Sequence, residues 1–140
     1  MIYATPQDII DRYNEETLVL VFDRQRLGAA DPVAVAKALA DASAELDSYL
    51  AGSYPLPLAI VPPALAGYCV DIALYRGTDG PAVPEERRKR YDDAIRWAIK
   101  VGEGKIKLPM PVGAAAPASV NSVQIAPATP VFTRESLERF

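Results

Sequence analysis

The chain has 140 residues, half of them hydrophobic and 24% charged, which is the composition of one globular domain large enough to build a core. It contains no His and one Cys, which excludes an intramolecular disulfide, a His-based general base or triad, and the usual ligand sets for zinc, copper or haem. Its net charge of −3 excludes nucleic-acid affinity resting on overall positive charge, while no apolar run approaches the ~20 residues that span a bilayer and the first ten residues lack a signal-peptide pattern.

In chain order, Thr5-Pro6-Gln7-Asp8 predicts a helix start, with Thr5 as N-cap, Pro6 in the first turn and Asp8 near the positive helix end. Ile9, Ile10 and Tyr13 supply its apolar face. A second short helix is expected after Asn14, with Glu15 and Glu16 in its first turn and Leu18, Val21 and Phe22 inward. Its run Leu18-Val19-Leu20-Val21-Phe22 also fits a strand on periodicity alone, but no partner strand is evident nearby. Asp23 to Ala30 reads as a loop. Its Asp23, Gly28 and Asp31 faintly resemble a calcium loop, yet Gln25 and Leu27 stand where further oxygen ligands belong.

The clearest helix runs from Asp31-Pro32 to about Ala51, with Gly52 as its stop. Val35, Leu39, Ala42, Leu46 and Tyr49 form one inward stripe, Lys37 and Asp41 an exposed i,i+4 pair, and the many alanines let another helix approach closely. Tyr54-Pro55-Leu56-Pro57-Leu58 is expected to be extended. Pro62-Pro63 opens a helix over 63–76 that carries Leu65, Cys69, Ile72 and Tyr75 inward. Gly77 to Pro81 breaks it. The last long helix starts at Pro84-Glu85-Glu86 and ends around Gly102 to Gly104, with Tyr91, Ile95, Ala98 and Ile99 inward and Asp92 paired with Arg96 outside. The fold class is therefore all-α, a small bundle of four to five helices over residues 1–107.

From Leu108 the character changes. Residues 108–133 carry no charged side chain and include five prolines, which forbid a continuous helix. Fully extended, those 26 residues reach roughly 85 Å, against a core radius of gyration of about 13 Å. Thr133 can cap a final helical turn in which Phe132 and Leu137 have the spacing of a hydrophobic staple, but so short a helix is marginal alone in water. Residues 108–140 thus read as an extended Pro/Ala-rich arm that folds by docking on a partner, through Val123, Ile125, Val131, Phe132, Arg134, Leu137 and Phe140.

Each candidate for chemistry has a structural counterpart. Asp71 interrupts an apolar helix and is expected to make an ion pair with Arg12, Arg76 or Arg96, because no second acid or activated nucleophile is arranged with it. Cys69 on the apolar side of the same helix reads as core. Arg87, Arg88, Lys89 and Arg90 form a basic cluster that could touch phosphates or an acidic partner. The flanking Glu85, Glu86, Asp92 and Asp93 bring its local charge near zero, so an interface or solvated helix face is favoured. Trp97 and the tyrosines Tyr49, Tyr54, Tyr68, Tyr75 and Tyr91 read as core or subunit contacts rather than a ligand pocket. Gly102-Glu103-Gly104-Lys105 ends a helix instead of opening one, opposite to phosphate-cradling geometry. No enzyme activity, cofactor or metal is expected.

Several segments, taken together and in order, resemble one family across nearly the whole chain. They are Met1-Ile2-Tyr3-Ala4-Thr5, Tyr54-Pro55-Leu56-Pro57-Leu58, Asp71-Ile72-Ala73 with Tyr75-Arg76, and Val83-Pro84-Glu85. They continue with Tyr91-Asp92-Asp93-Ala94, Gly104-Lys105-Ile106 and Phe132-Thr133-Arg134 with Leu137 and Phe140. The family is the head–tail connector (adaptor) proteins of Mu-like tailed phages and prophages. The sequence departs from it in the 23–31 loop and in the Ala/Pro-rich 108–131 linker. The resemblance implies a homo-oligomeric, dodecameric ring beneath the portal protein, joining the DNA-filled capsid to a tail-side neck or terminator protein, with no catalytic residues and no membrane partner. It implies a virion protein of the neck, made in the bacterial host cytoplasm. It leaves open a non-specific contact of the basic cluster with DNA passing through the channel. The alternative is a small monomeric or dimeric interaction or regulatory module that binds a phage or host protein.

Overall fold

In the computed structural model, which describes residues 1–78 and 83–109, the secondary structure is entirely helical. The five helices are α1 (Pro6–Arg12), α2 (Glu15–Phe22), α3 (Pro32–Leu50), α4 (Pro63–Gly77) and α5 (Glu85–Gly102). The arm residues Val123, Ile125, Val131, Phe132, Arg134, Leu137 and Phe140 lie outside the described residues.

The helix starts follow the sequence signals. Thr5 caps α1 in a full capping box: its hydroxyl accepts from the Asp8 N–H, and the Asp8 carboxylate accepts from the Thr5 N–H at 2.6 Å. Asn14 decides α2. Its side-chain oxygen accepts from the Thr17 N–H at 2.8 Å, so the run 18–22 is helix and not strand. Asp31 caps α3 through the Val33 N–H at 2.9 Å. In the loop before it, both Asp23 carboxylate oxygens accept loop N–H groups, from Leu27 at 2.9 Å and Gly28 at 2.7 Å. Prolines open α4 and precede α5, where a missing N–H costs nothing.

α3, α4 and α5 pack against one another, and α1 and α2 lie against α4. The central core joins Leu39, Leu46 and Leu50 of α3 to Leu65, Cys69 and Ile72 of α4 and to Ala94, Ala98 and Val101 of α5, all buried. The alanines set the distance: with only methyl groups at Ala42, Ala94 and Ala98, the backbones approach until the Tyr49 carbonyl lies against Gly102. Ser53 Oγ donates to the Gly102 carbonyl at 2.6 Å and fixes the same junction.

Three expectations are corrected. Tyr49 is only partly buried, and Leu50 completes the α3 stripe, because a straight helix drifts off a 3.5-residue repeat over five turns. Ile99 is 40% exposed, and Val101 takes the core position at the end of α5. Arg96 pairs with Asp93 at i−3, 2.9 Å, rather than with Asp92. The Lys37–Asp41 pair forms as expected, at 2.9 Å. Residues 54–58 are non-helical, with a cis Leu56–Pro57 bond. Leu108, the first residue of the expected arm, is buried, and its N–H donates to the Tyr54 hydroxyl at 2.8 Å.

Candidate functional site

A polar cleft of about 220 Å³ lies where α2, α4 and the start of α5 meet, lined by Tyr13, Thr17, Asp71, Leu74, Pro84, Glu86, Arg87 and Arg90. Asp71 forms its floor and is almost wholly buried. Of the three arginines expected as partners, Arg12 is the one that reaches it. Its Nε and Nη2 donate to the two carboxylate oxygens at 3.3 and 3.0 Å, and the Tyr13 hydroxyl donates to one of them. Arg76 instead holds Glu45 of α3, at 2.6 Å, and Arg96 holds Asp93. Asp71 is therefore a structural acid that ties α1 to α4.

The basic cluster divides at this cleft. Arg90 pairs with Glu86 at 2.6 Å, donates to the Tyr13 hydroxyl at 3.1 Å and lies over the Tyr13 ring at 5.3 Å. Its guanidinium holds the Glu86 carboxyl below the usual value. Arg87 donates to Thr78 Oγ1 at 2.6 Å. Arg88 and Lys89 point outward, exposed and without an ion pair among the described residues. Four consecutive cations thus become two that bond to neighbouring side chains and two exposed ones without an ion pair among the described residues.

The aromatic residues join helices. Tyr68 of α4 stacks on Trp97 of α5 at 4.4 Å, and Tyr75 stacks on Tyr91 at 4.1 Å. Cys69 is fully buried; burial pushes its thiol up, partly offset by the hydrogen bond to Ser43 at 3.4 Å. Among the described residues no buried side-chain polar atom lacks a partner, and no group of three or more His, Cys, Asp or Glu could hold a metal ion. No described helix is long and apolar enough to cross a membrane.

Three tyrosines carry a pH signature. Burial first, then a carboxylate that accepts the phenol proton's hydrogen bond, raises Tyr3 (Asp47), Tyr13 (Asp71) and Tyr91 (Glu45, pushed up to about 12). An unfolded phenol ionises near pH 10. The folded chain holds these protons longer, so the contribution is complete below about pH 10 and is lost as pH rises toward 12. The thermal midpoint is expected to be level up to about pH 9.5 and then to fall. The fall should be shallower in Tyr91→Phe, and a wild-type midpoint unchanged at pH 11.5 would contradict this.

The sequence reading missed one surface. Leu20 is 80% exposed, on the side of α2 opposite Leu18 and Phe22, with Glu15 and Glu16 one turn before it. A helical wheel of residues 15–22 carries that signal, but only once the helix is chosen over the strand.

A family model described as Bacteriophage Mu, Gp36 matches residues 3–126. Gene product J of Escherichia phage Mu is 36% identical over 138 residues, 96% of this chain and 96% of that protein. The Mu-like prophage FluMu protein gp36 of Haemophilus influenzae is 37% identical over 113 residues, 77% of this chain and 76% of that protein.

Proposed function

We propose that this chain, which belongs to the Bacteriophage Mu Gp36 family, is a head–tail adaptor: a structural protein of the phage neck that forms a ring, docks on the portal and joins the DNA-filled capsid to the tail. It acts by assembly, without catalysis or cofactor. The observation that carries this reading is the change of composition after Leu108. Up to that residue the polar groups between the helices are spent on one another: Asp71 on Arg12, Glu45 on Arg76 and Tyr91, Arg90 on the Tyr13 hydroxyl. Beyond it come 25 residues without a charge, starting from a point fixed by the Tyr54 hydroxyl. A core with its buried polar groups satisfied suits side-by-side packing, and the uncharged segment suits docking on another protein.

The test removes residues 110–140 and keeps Leu108. The truncated protein is expected to remain helical and to melt as one unit, while phage made with it accumulate DNA-filled heads and unjoined tails. Joining at normal yield would sink the proposed role of the arm. A mass of one or two chains, both alone and on portal-bearing heads, would favour a small interaction module instead.

A further inference from the structure

We propose that the outer face of α2 in one copy receives the outer face of α5 in the next, a head-to-tail contact that sets Glu15 and Glu16 against Arg88 and Lys89. The inference rests on the ring reading above and deepens it by naming the two surfaces that repeat around the ring. Leu18 and Phe22 turn one side of α2 into the core, which leaves Glu16 and Leu20 outward. Glu15, Glu16, Val19, Leu20 and Gly28 line an open groove of about 460 Å³, and neither acid has an ion pair among the described residues. Leu27, beside Gly28, is 75% exposed. An acidic ridge thus adjoins apolar surface that no part of the described core covers.

The complementary surface lies on α5. Arg87 and Arg90 are drawn into the cleft, so the cations left facing outward are Arg88 and Lys89, bordered by Glu85 and Asp92. Ile95 and Ile99 follow Arg88 at i+7 and i+11, on the same side of the helix, partly buried and 40% exposed respectively. Both faces therefore present charge first and apolar side chains C-terminal to it, with opposite sign. A two-fold contact of the α2 face with itself would set acid against acid. Two different complementary faces on one subunit are what a closed ring of identical chains requires, and charges at such a rim set partner and register more than affinity.

The experiment uses the full chain in four forms: wild type, Glu15→Lys with Glu16→Lys, Arg88→Glu with Lys89→Glu, and all four changes together. Assembly is read by native mass measurement, alone and on portal-bearing heads that lack this protein. Each charge reversal is expected to cut the assembled fraction about tenfold with the helical circular dichroism unchanged, and the fourfold exchange to bring it back to within about twofold of wild type. A second measurement mixes Glu16→Cys with Lys89→Cys under oxidation. Cys69 is buried, so a disulfide-linked dimer is expected from the mixture and from neither variant alone. Rings that persist in both reversals, or that the exchange does not restore, overturn this contact and leave the adaptor reading standing. A wild type that assembles neither alone nor on heads overturns both.

Discussion

Gly102→Ala is expected to lower the stability of the folded chain by about 3 kcal/mol, read as a shift of the urea midpoint at constant slope. A Cβ at Gly102 would collide with the Tyr49 carbonyl oxygen and stand 3.3 Å from its carbon. Both atoms are backbone in the last turn of α3, so no side chain can swing aside. Either α5 moves off α3 or the junction opens, and each route disturbs Val101 and the Ser53–Gly102 hydrogen bond as well. Overpacking against a rigid neighbour belongs at the upper end of its usual range, about 1–3 kcal/mol. The gain in helix propensity is small so close to the helix end. Gly104 provides the contrast. Its φ of 73° is left-handed but nothing lies within 4 Å of its would-be Cβ, so Gly104→Ala should cost only about 1 kcal/mol of backbone strain. Equal losses at the two glycines would remove the steric explanation.

What the sequence makes legible here follows from distance along the chain. Caps are local signals, and Thr5, Asp31 and the prolines at residues 6, 32 and 63 mark the helix starts where the structure has them. The core stripe is semi-local: a 4-3-4-3 spacing places Val35, Leu39, Ala42 and Leu46 correctly, then, repeating every 3.5 residues against a helix of 3.6, falls one residue behind and selects Tyr49 over Leu50. Ile99 fails for a related reason. Apolarity alone cannot tell an inward position from one that a neighbouring subunit would cover, and Ile99 lies on the α5 flank proposed as a contact. The cleft is not legible at all. It needs Tyr13 and Arg90, 77 residues apart, to meet across two helices, and no local pattern encodes that approach. Asp71 lies between these extremes. A lone carboxylate in an apolar helix demands a cation, but choosing Arg12 over Arg76 depends on α1 packing against α4. Arg76 lies five residues on, turned toward α3 and Glu45.

That demand yields the second large effect. Arg12→Met is expected to cost about 3 kcal/mol and Asp71→Leu about 2, while the double variant costs about 3, well below the sum of the singles. The order follows from exposure. Removing Arg12 leaves a carboxylate whose side chain is 4% exposed with the Tyr13 hydroxyl as its one remaining donor, and water cannot replace the guanidinium there. Removing Asp71 leaves an arginine whose side chain is 42% exposed and can turn to solvent, while the Tyr13 hydroxyl keeps Arg90 as a donor. The same exposure keeps the Arg12 loss at the low end of the range for breaking buried pairs. Replacing both groups by apolar side chains removes the stranded charge and restores contact between α1 and α4, so the coupling should come to about 2 kcal/mol. Arg12→Lys should recover less than half of the Arg12→Met loss, since a single ammonium cannot address both oxygens that Nε and Nη2 now reach. Additive losses in the double variant would mean that Arg12 and Asp71 act on separate parts of the fold. In that case the acid beneath the cleft would be held by the tyrosine, and α1 would be attached to the bundle through the apolar contacts of Ile9 and Ile10.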